Sequence, residues 1–104
     1  MKIYYFLFEV LPEPDSENFE DSGGAYVNCW IRSNSEHEAE IIAVEAIRND
    51  GWCIQSLEDK FIAEKERYVD DPEVLELYEQ AEKEGESYIF NIWPPEPQDE
   101  DTIH

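Results

Sequence analysis

Few side chains in this sequence could do chemistry, and none sits in a pattern that completes a reaction. His37 lies between Glu36 and Glu38. A general base needs a nucleophile and an oxyanion donor within reach, and the neighbouring sequence supplies neither. Cys29 and Cys53 stand alone, without CxxC spacing or a ring of histidines. A thiol becomes a nucleophile when its pKa is lowered, whereas an acidic field raises it. The pair Asp70-Asp71 is explained by helix capping, and Gly23-Gly24 opens no helix that could cradle a phosphate. Glu13, Asp15, Glu17, Glu20 and Asp21 offer hard oxygen ligands, and Asp15-x-Glu17 alternates as a calcium loop does. A calcium-binding loop also needs a glycine at its sixth position and a glutamate at its twelfth. Counted from Asp15, those positions hold Glu20 and Tyr26. The expectation is no catalytic set, no resident metal and no cofactor.

What remains is a surface. In the segment Gly24 to Arg32, alternation sends Ala25, Val27, Cys29 and Ile31 one way and Tyr26, Asn28, Trp30 and Arg32 the other. The first set reads as core. The second, joined by Tyr5 with Ile3 and Leu7, reads as a row of large aromatic side chains on an uncovered sheet face. Such a face in water marks an interface, for a second copy or for another protein. The competing reading is that residues 11–23 and the proline-rich end fold over the row and close it. On the interface reading, Trp30→Ala releases the partner and leaves folding almost unchanged.

The elements that would hold this row follow from local pattern. Lys2 to Val10 is a continuous apolar run bounded by Pro12 and Pro14, as in a central strand covered on both faces. Leu11 to Gly23 is an acidic loop by composition. Ser35 and Glu38 make a capping box for a helix to Asp50, with Ala39, Ile42, Ala43, Ala46 and Ile47 on its buried stripe and Gly51 past its end. Trp52 to Leu57 reads as a third strand, continuing bent through Phe61 to Ala63. Asp71-Pro72 starts a second helix with Val74, Leu77, Tyr78 and Ala81 inside and Gly85 at its end. Ser87 to Trp93 is the last strand, stopped by Pro94, Pro95 and Pro97. The order β-β-α-β-α-β predicts an α+β two-layer sandwich: a four-stranded, mainly antiparallel sheet with both helices on one face, ferredoxin-like. Residues 1–95 form the expected single domain, and 96–104 an acidic, disordered tail.

Several strings resemble small bacterial proteins of uncharacterised function. They are Gly24-Ala25-Tyr26-Val27-Asn28, Ser35-x-x-Glu38-Ala39, Gly51-Trp52-x-Ile54 and Leu57-Glu58, with Tyr78, Ala81 and Gly85 near the second helix. The resemblance spans residues 2–93. It implies a ferredoxin-like or similar α+β domain and brings no catalytic residues with it.

Charge narrows the partners. Twenty-seven Asp and Glu against seven Lys and Arg give a formal net charge of −20 over 104 residues. Nucleic acid and anionic membrane surfaces require clustered Lys and Arg, so neither is an expected partner. Basic proteins are the natural electrostatic partners. The start of the chain lacks the pattern of a secretory leader, because Glu9 interrupts the apolar run and no small-residue cleavage site follows. Isolated cysteines fit a reducing, cytoplasmic location. The sequence therefore points to a non-enzymatic protein-interaction module, possible as a homodimer. The alternative is an immunity-type inhibitor that meets a basic toxin or nuclease through Glu13 to Asp21. An enzyme or small-molecule binder would need a pocket that sequence does not reveal.

Overall fold

The structure is a computed structural model and describes residues 1–95. The expected acidic tail, 96–104, lies outside the described residues. In chain order the elements are β1 (Lys2–Pro12), β2 (Gly24–Ser33), α1 (Glu36–Asn49), β3 (Trp52–Ala63), a 3-10 turn (Lys65–Tyr68), α2 (Pro72–Glu84) and β4 (Glu86–Trp93). The fold is α+β, with one open sheet of four antiparallel strands in the order β3-β1-β2-β4 and two helices. Among the described residues no helix is long and apolar enough to cross a membrane.

The helix ends follow their caps. Ser35 Oγ accepts the Glu38 amide at 3.2 Å, as a capping serine should. The reciprocal bond of the capping box is not made; the Glu38 carboxylate accepts from Ser33 Oγ instead. Asp71 Oδ1 accepts the Val74 amide, Pro72 opens α2, and Gly85 closes it with φ of 98°. β1 continues two residues past Val10, to Pro12, by pairing with the start of β3. β3 runs the whole length to Ala63, and its pairing with β1 shifts register twice, between Leu7 and Phe8 and between Glu9 and Val10. Irregularities of this kind increase the local twist of a strand.

Both faces of the sheet carry a core. Tyr4, Phe6, Phe8 and Val10 of β1 join Ala25, Val27, Cys29 and Ile31 of β2 beneath Ala39, Ala43 and Ile47 of α1, with Trp52 closing the end. The alternate side chains Ile3, Tyr5 and Trp30 pack with Ala63, Tyr68, Tyr78 and Ala81 beneath the 3-10 turn and α2. The helices thus lie on opposite faces, which corrects the expected two-layer sandwich with both helices on one side. Strand order and helix placement do not reproduce the expected ferredoxin-like arrangement. The reason lies in β1, whose two sets of side chains are both too apolar to leave wet.

Residues 13–23 do not close over the aromatic row. The Glu13 amide donates to Gly51 O at 2.9 Å, Asn18 Nδ2 to Asp50 O at 3.1 Å, and Ser22 Oγ to Asn18 O at 2.7 Å. The loop is pinned at the end of the sheet where α1 turns into β3. Its return to β2 passes through Gly24, whose φ of 154° suits glycine. A Cβ there would overlap the Trp93 indole and the Val10 carbonyl.

Among the described residues only two ion pairs form, Lys60–Glu36 at 3.2 Å and Lys65–Glu79 at 3.3 Å, all four side chains about half exposed. Such pairs contribute little, and the net charge of −20 is an excess that no ion pair within the chain can offset, so compaction brings like charges together. Raising salt from about 0.01 M to about 1 M shortens the screening length from about 30 Å to about 3 Å. The melting temperature should rise across that range in a scanning calorimetry series. A melting temperature indifferent to salt would mean self-repulsion is not a significant term.

Candidate functional site

The side chains of the expected aromatic row part company in the structure. Tyr5 and Trp30 face each other across β1 and β2 and are buried, Trp30 to 3% exposure. Their rings lie 5.3 Å apart, and Trp30 Nε1 donates to Tyr68 Oη at 3.1 Å. Tyr68, on the 3-10 turn, packs at a tilt against Tyr78 of α2. Trp30 is therefore a core residue and not the centre of an exposed interface, a second correction to the sequence reading. Tyr26, by contrast, is 41% exposed, Asn28 is half-buried, and Arg32 is exposed, donating to the Glu82 carbonyl at the end of α2.

A groove opens where α2 stops covering the sheet. Tyr5, Asn28 and Trp30 form its floor with Phe61 of β3 and Ile89 and Asn91 of β4; Arg67, Tyr68, Val74 and Leu77 form its wall. Its volume is about 440 Å³, within the range of small-ligand and side-chain pockets. Tyr5 stacks on Phe61 with centroids 4.5 Å apart, and the Arg67 guanidinium lies 4.0 Å above the other ring's centroid, that of Phe61. Tyr5 Oη donates to Asn28 Oδ1. Burial pushes the Tyr5 phenol up to about 12, helped by Tyr68 and the Asp59 carboxylate and opposed by Arg67. The groove holds no nucleophile beside a base. It presents aromatic faces, two amides, one acid and one guanidinium.

Beyond the groove, among the described residues, neither helix covers the same face. Tyr26 rests against Trp93 at 5.2 Å between centroids, and Leu11, Phe19 and Trp93 share a second hollow at the end of the sheet. Leu11, Phe19, Tyr26 and Ile89 are all more than one third exposed. Sequence reading missed Phe61, Arg67, Tyr68, Ile89 and Asn91. Ile89 and Asn91 could have been found by alternation in Ser87 to Trp93; Arg67 and Tyr68 lie on a short turn that leaves no periodic signal.

The other candidates fall elsewhere. Of the acidic residues, Asp15, Glu17, Glu20 and Asp21 are exposed and Glu13 half-buried, all on the loop pinned to the α1–β3 turn. Among the described residues no three His, Cys, Asp or Glu side chains gather in a way that could hold a metal ion. His37 lies on the exposed outer surface of α1. Both thiols are free: Cys29 is buried beneath α1, and its pKa is raised by that burial; Cys53 is exposed.

Compared with protein-family models, with curated proteins and with solved structures, this chain matches none. The site must be read from its own geometry.

Two outcomes follow. Trp30→Ala should destabilise the fold by about 3–5 kcal/mol in denaturant unfolding, as large aromatic truncations in a core do, whereas Tyr26→Ala should stay within about 1 kcal/mol, as substitutions away from the core usually do. Equal effects would contradict the burial pattern. Because the folded Tyr5 phenol holds its proton above the ordinary 10.0, its contribution to stability is intact below pH 10 and is lost as pH rises from 10 through about 12. Asp59→Asn should lower the Tyr5 transition in an ultraviolet titration, with Tyr5→Phe identifying which transition it is.

Proposed function

We propose that this protein is a non-enzymatic interaction module that binds a basic segment of another protein on the α2 side of its sheet. The carrying observation is the partly covered face: α2 and the 3-10 turn bury Tyr5 and Trp30, while Tyr26, Ile89 and Leu11 remain in water beside the groove. Exposed apolar and aromatic surface rimmed by amides is what protein contacts use. Asn28 and Asn91 supply the directional bonds in the groove, and its cavity of about 440 Å³ is large enough for an anchoring side chain. The net charge of −20 selects the sign of the partner and speeds its approach. It also disfavours a second copy of the chain, which carries the same charge. A cytoplasmic setting is part of this reading, since two unpaired thiols fit a reducing compartment.

The immunity-type reading places the contact on Glu13 to Asp21. Those side chains project from a loop pinned at the end of the sheet, and the hollow beside it is lined by Leu11, Phe19 and Trp93 and by none of these acids. The sheet face has both the shape and the apolar area, so we favour it.

The test is fluorescence titration of the protein with a short peptide alternating lysine and valine, and with its glutamate–valine counterpart. The lysine peptide should bind and weaken as salt rises; the glutamate peptide should not bind. Tyr26→Ser and Asn28→Ala should weaken binding by about tenfold or more, equivalent to about 1.4 kcal/mol, with folding intact. Neutralising Glu13, Asp15 and Glu17 should change it only slightly. Binding lost with the loop and kept without Tyr26 would transfer the site to the loop, and failure of every basic peptide would end the proposal.

A further inference from the structure

The two edges of this sheet are built differently. β3 exposes Glu58, Asp59 and Lys60 and breaks register with β1 twice; charges and bulges of this kind keep an edge from pairing with another chain. Past Glu86 at its first position, β4 has none of these protections. From Ser87 to Trp93 it carries no charged residue and no proline, and it pairs with β2 without a register break from Glu86 to Trp93. Among the described residues no strand pairs with its outer side. The Arg32 amide donates to Gly85 O at 2.8 Å, so Arg32 and Gly85 face each other in a hydrogen-bonded position. Alternation then turns the amides of Ser87, Ile89 and Asn91 toward β2 and those of Tyr88, Phe90 and Ile92 outward.

We propose that the basic partner docks as a fifth strand on the outer edge of β4, an inference that rests on the reading above. Charge and pattern favour that occupant over a second copy. α2, which packs mainly on β4 and β2, exposes Glu73, Glu76 and Glu84, while the acidic loop reaches the far end of the strand where Gly23 bonds Trp93 O. A second copy would bring the same acids against them. The faces of β4 also specify the segment. Tyr88 and Phe90 pack against the α1-side core, and Ile92, on the same face of the strand, is 54% exposed. Ser87, Ile89 and Asn91 lie on the acidic α2 side. An added strand would place its apolar residues beside Phe90 and Ile92 and its alternate, basic residues beside α2, while reaching Asn91 and the groove.

The test separates this docking mode from the broader reading. Ile92→Pro removes one outward amide and leaves the β2–β4 ladder intact, since proline is tolerated on an edge whose N–H faces solvent. Ile92→Thr removes the same apolar surface and keeps the amide. With the lysine–valine peptide as probe, Ile92→Pro should bind about tenfold or more weaker than Ile92→Thr. Peptides N-methylated on all lysines or on all valines use the unaltered protein; one set should lose binding and the other keep it, because alternate amides point to opposite sides of a strand. Equal affinities for the two Ile92 variants, or equal losses for the two methylated peptides, would overturn strand addition while basic binding stands. No binding of the unmethylated peptide to the unaltered protein would overturn both.

Discussion

The structure depends on one strand. β1 is apolar on both sides: Tyr4, Phe6, Phe8 and Val10 point one way and Ile3, Tyr5 and Leu7 the other. Neither set can be left in water without losing about 25 cal/mol per Å² of buried area. β1 is therefore central, flanked by β2 and β3, and each face must be roofed by a different helix. The roofs are too short. α2 has 13 residues and spans about 20 Å, while β1 has 11 and spans about 37 Å. The uncovered remainder on the α2 side is the groove and the strip around Tyr26. A candidate binding face thus arises from a mismatch between the rise of a helix and that of a strand.

Much of this architecture was legible. Ser35, Asp71-Pro72, Gly51 and Gly85 mark helix ends by local hydrogen bonding and backbone freedom, which need no knowledge of the rest of the chain. The four strands were legible through apolar runs and alternation. The layer arrangement was legible in principle, because the unbroken run from Ile3 to Phe8 is the signature of a strand covered twice. Element order alone leaves open which face each helix packs on, so it does not fix the layers. Trp30 shows the same limit at the site: alternation placed it on the correct face, but only tertiary packing decides that Tyr68 reaches it. Tyr68 and Arg67 sit on a turn too brief to carry a period, so the wall of the groove had no signal along the chain.

Charge is distributed with respect to this frame and does not build it. The acids occupy the loop, the outer surfaces of both helices and the β3 edge, where water solvates them. Within β4 the stretch from Ser87 to Trp93 is free of them. An acidic surface interrupted by one uncharged stretch of edge strand combines long-range attraction for cations with a short-range template of backbone donors and acceptors. In the proposed docking mode, the first would set how quickly a partner arrives and the second how it is oriented.

The contrast between the two thiols gives the molecule an internal clock. Cys29 is fully enclosed between the sheet and α1, and its raised pKa keeps it protonated; Cys53 stands in solvent on β3. An alkylating reagent can reach Cys53 in the folded protein. It can reach Cys29 only when α1 lifts from β2 or the chain unfolds, so the slow phase reports how often that layer opens. β2 bears Cys29 on the α1 side and Trp30 on the α2 side, so the slow alkylation phase times the α1 layer alone and leaves the opposite layer unsampled.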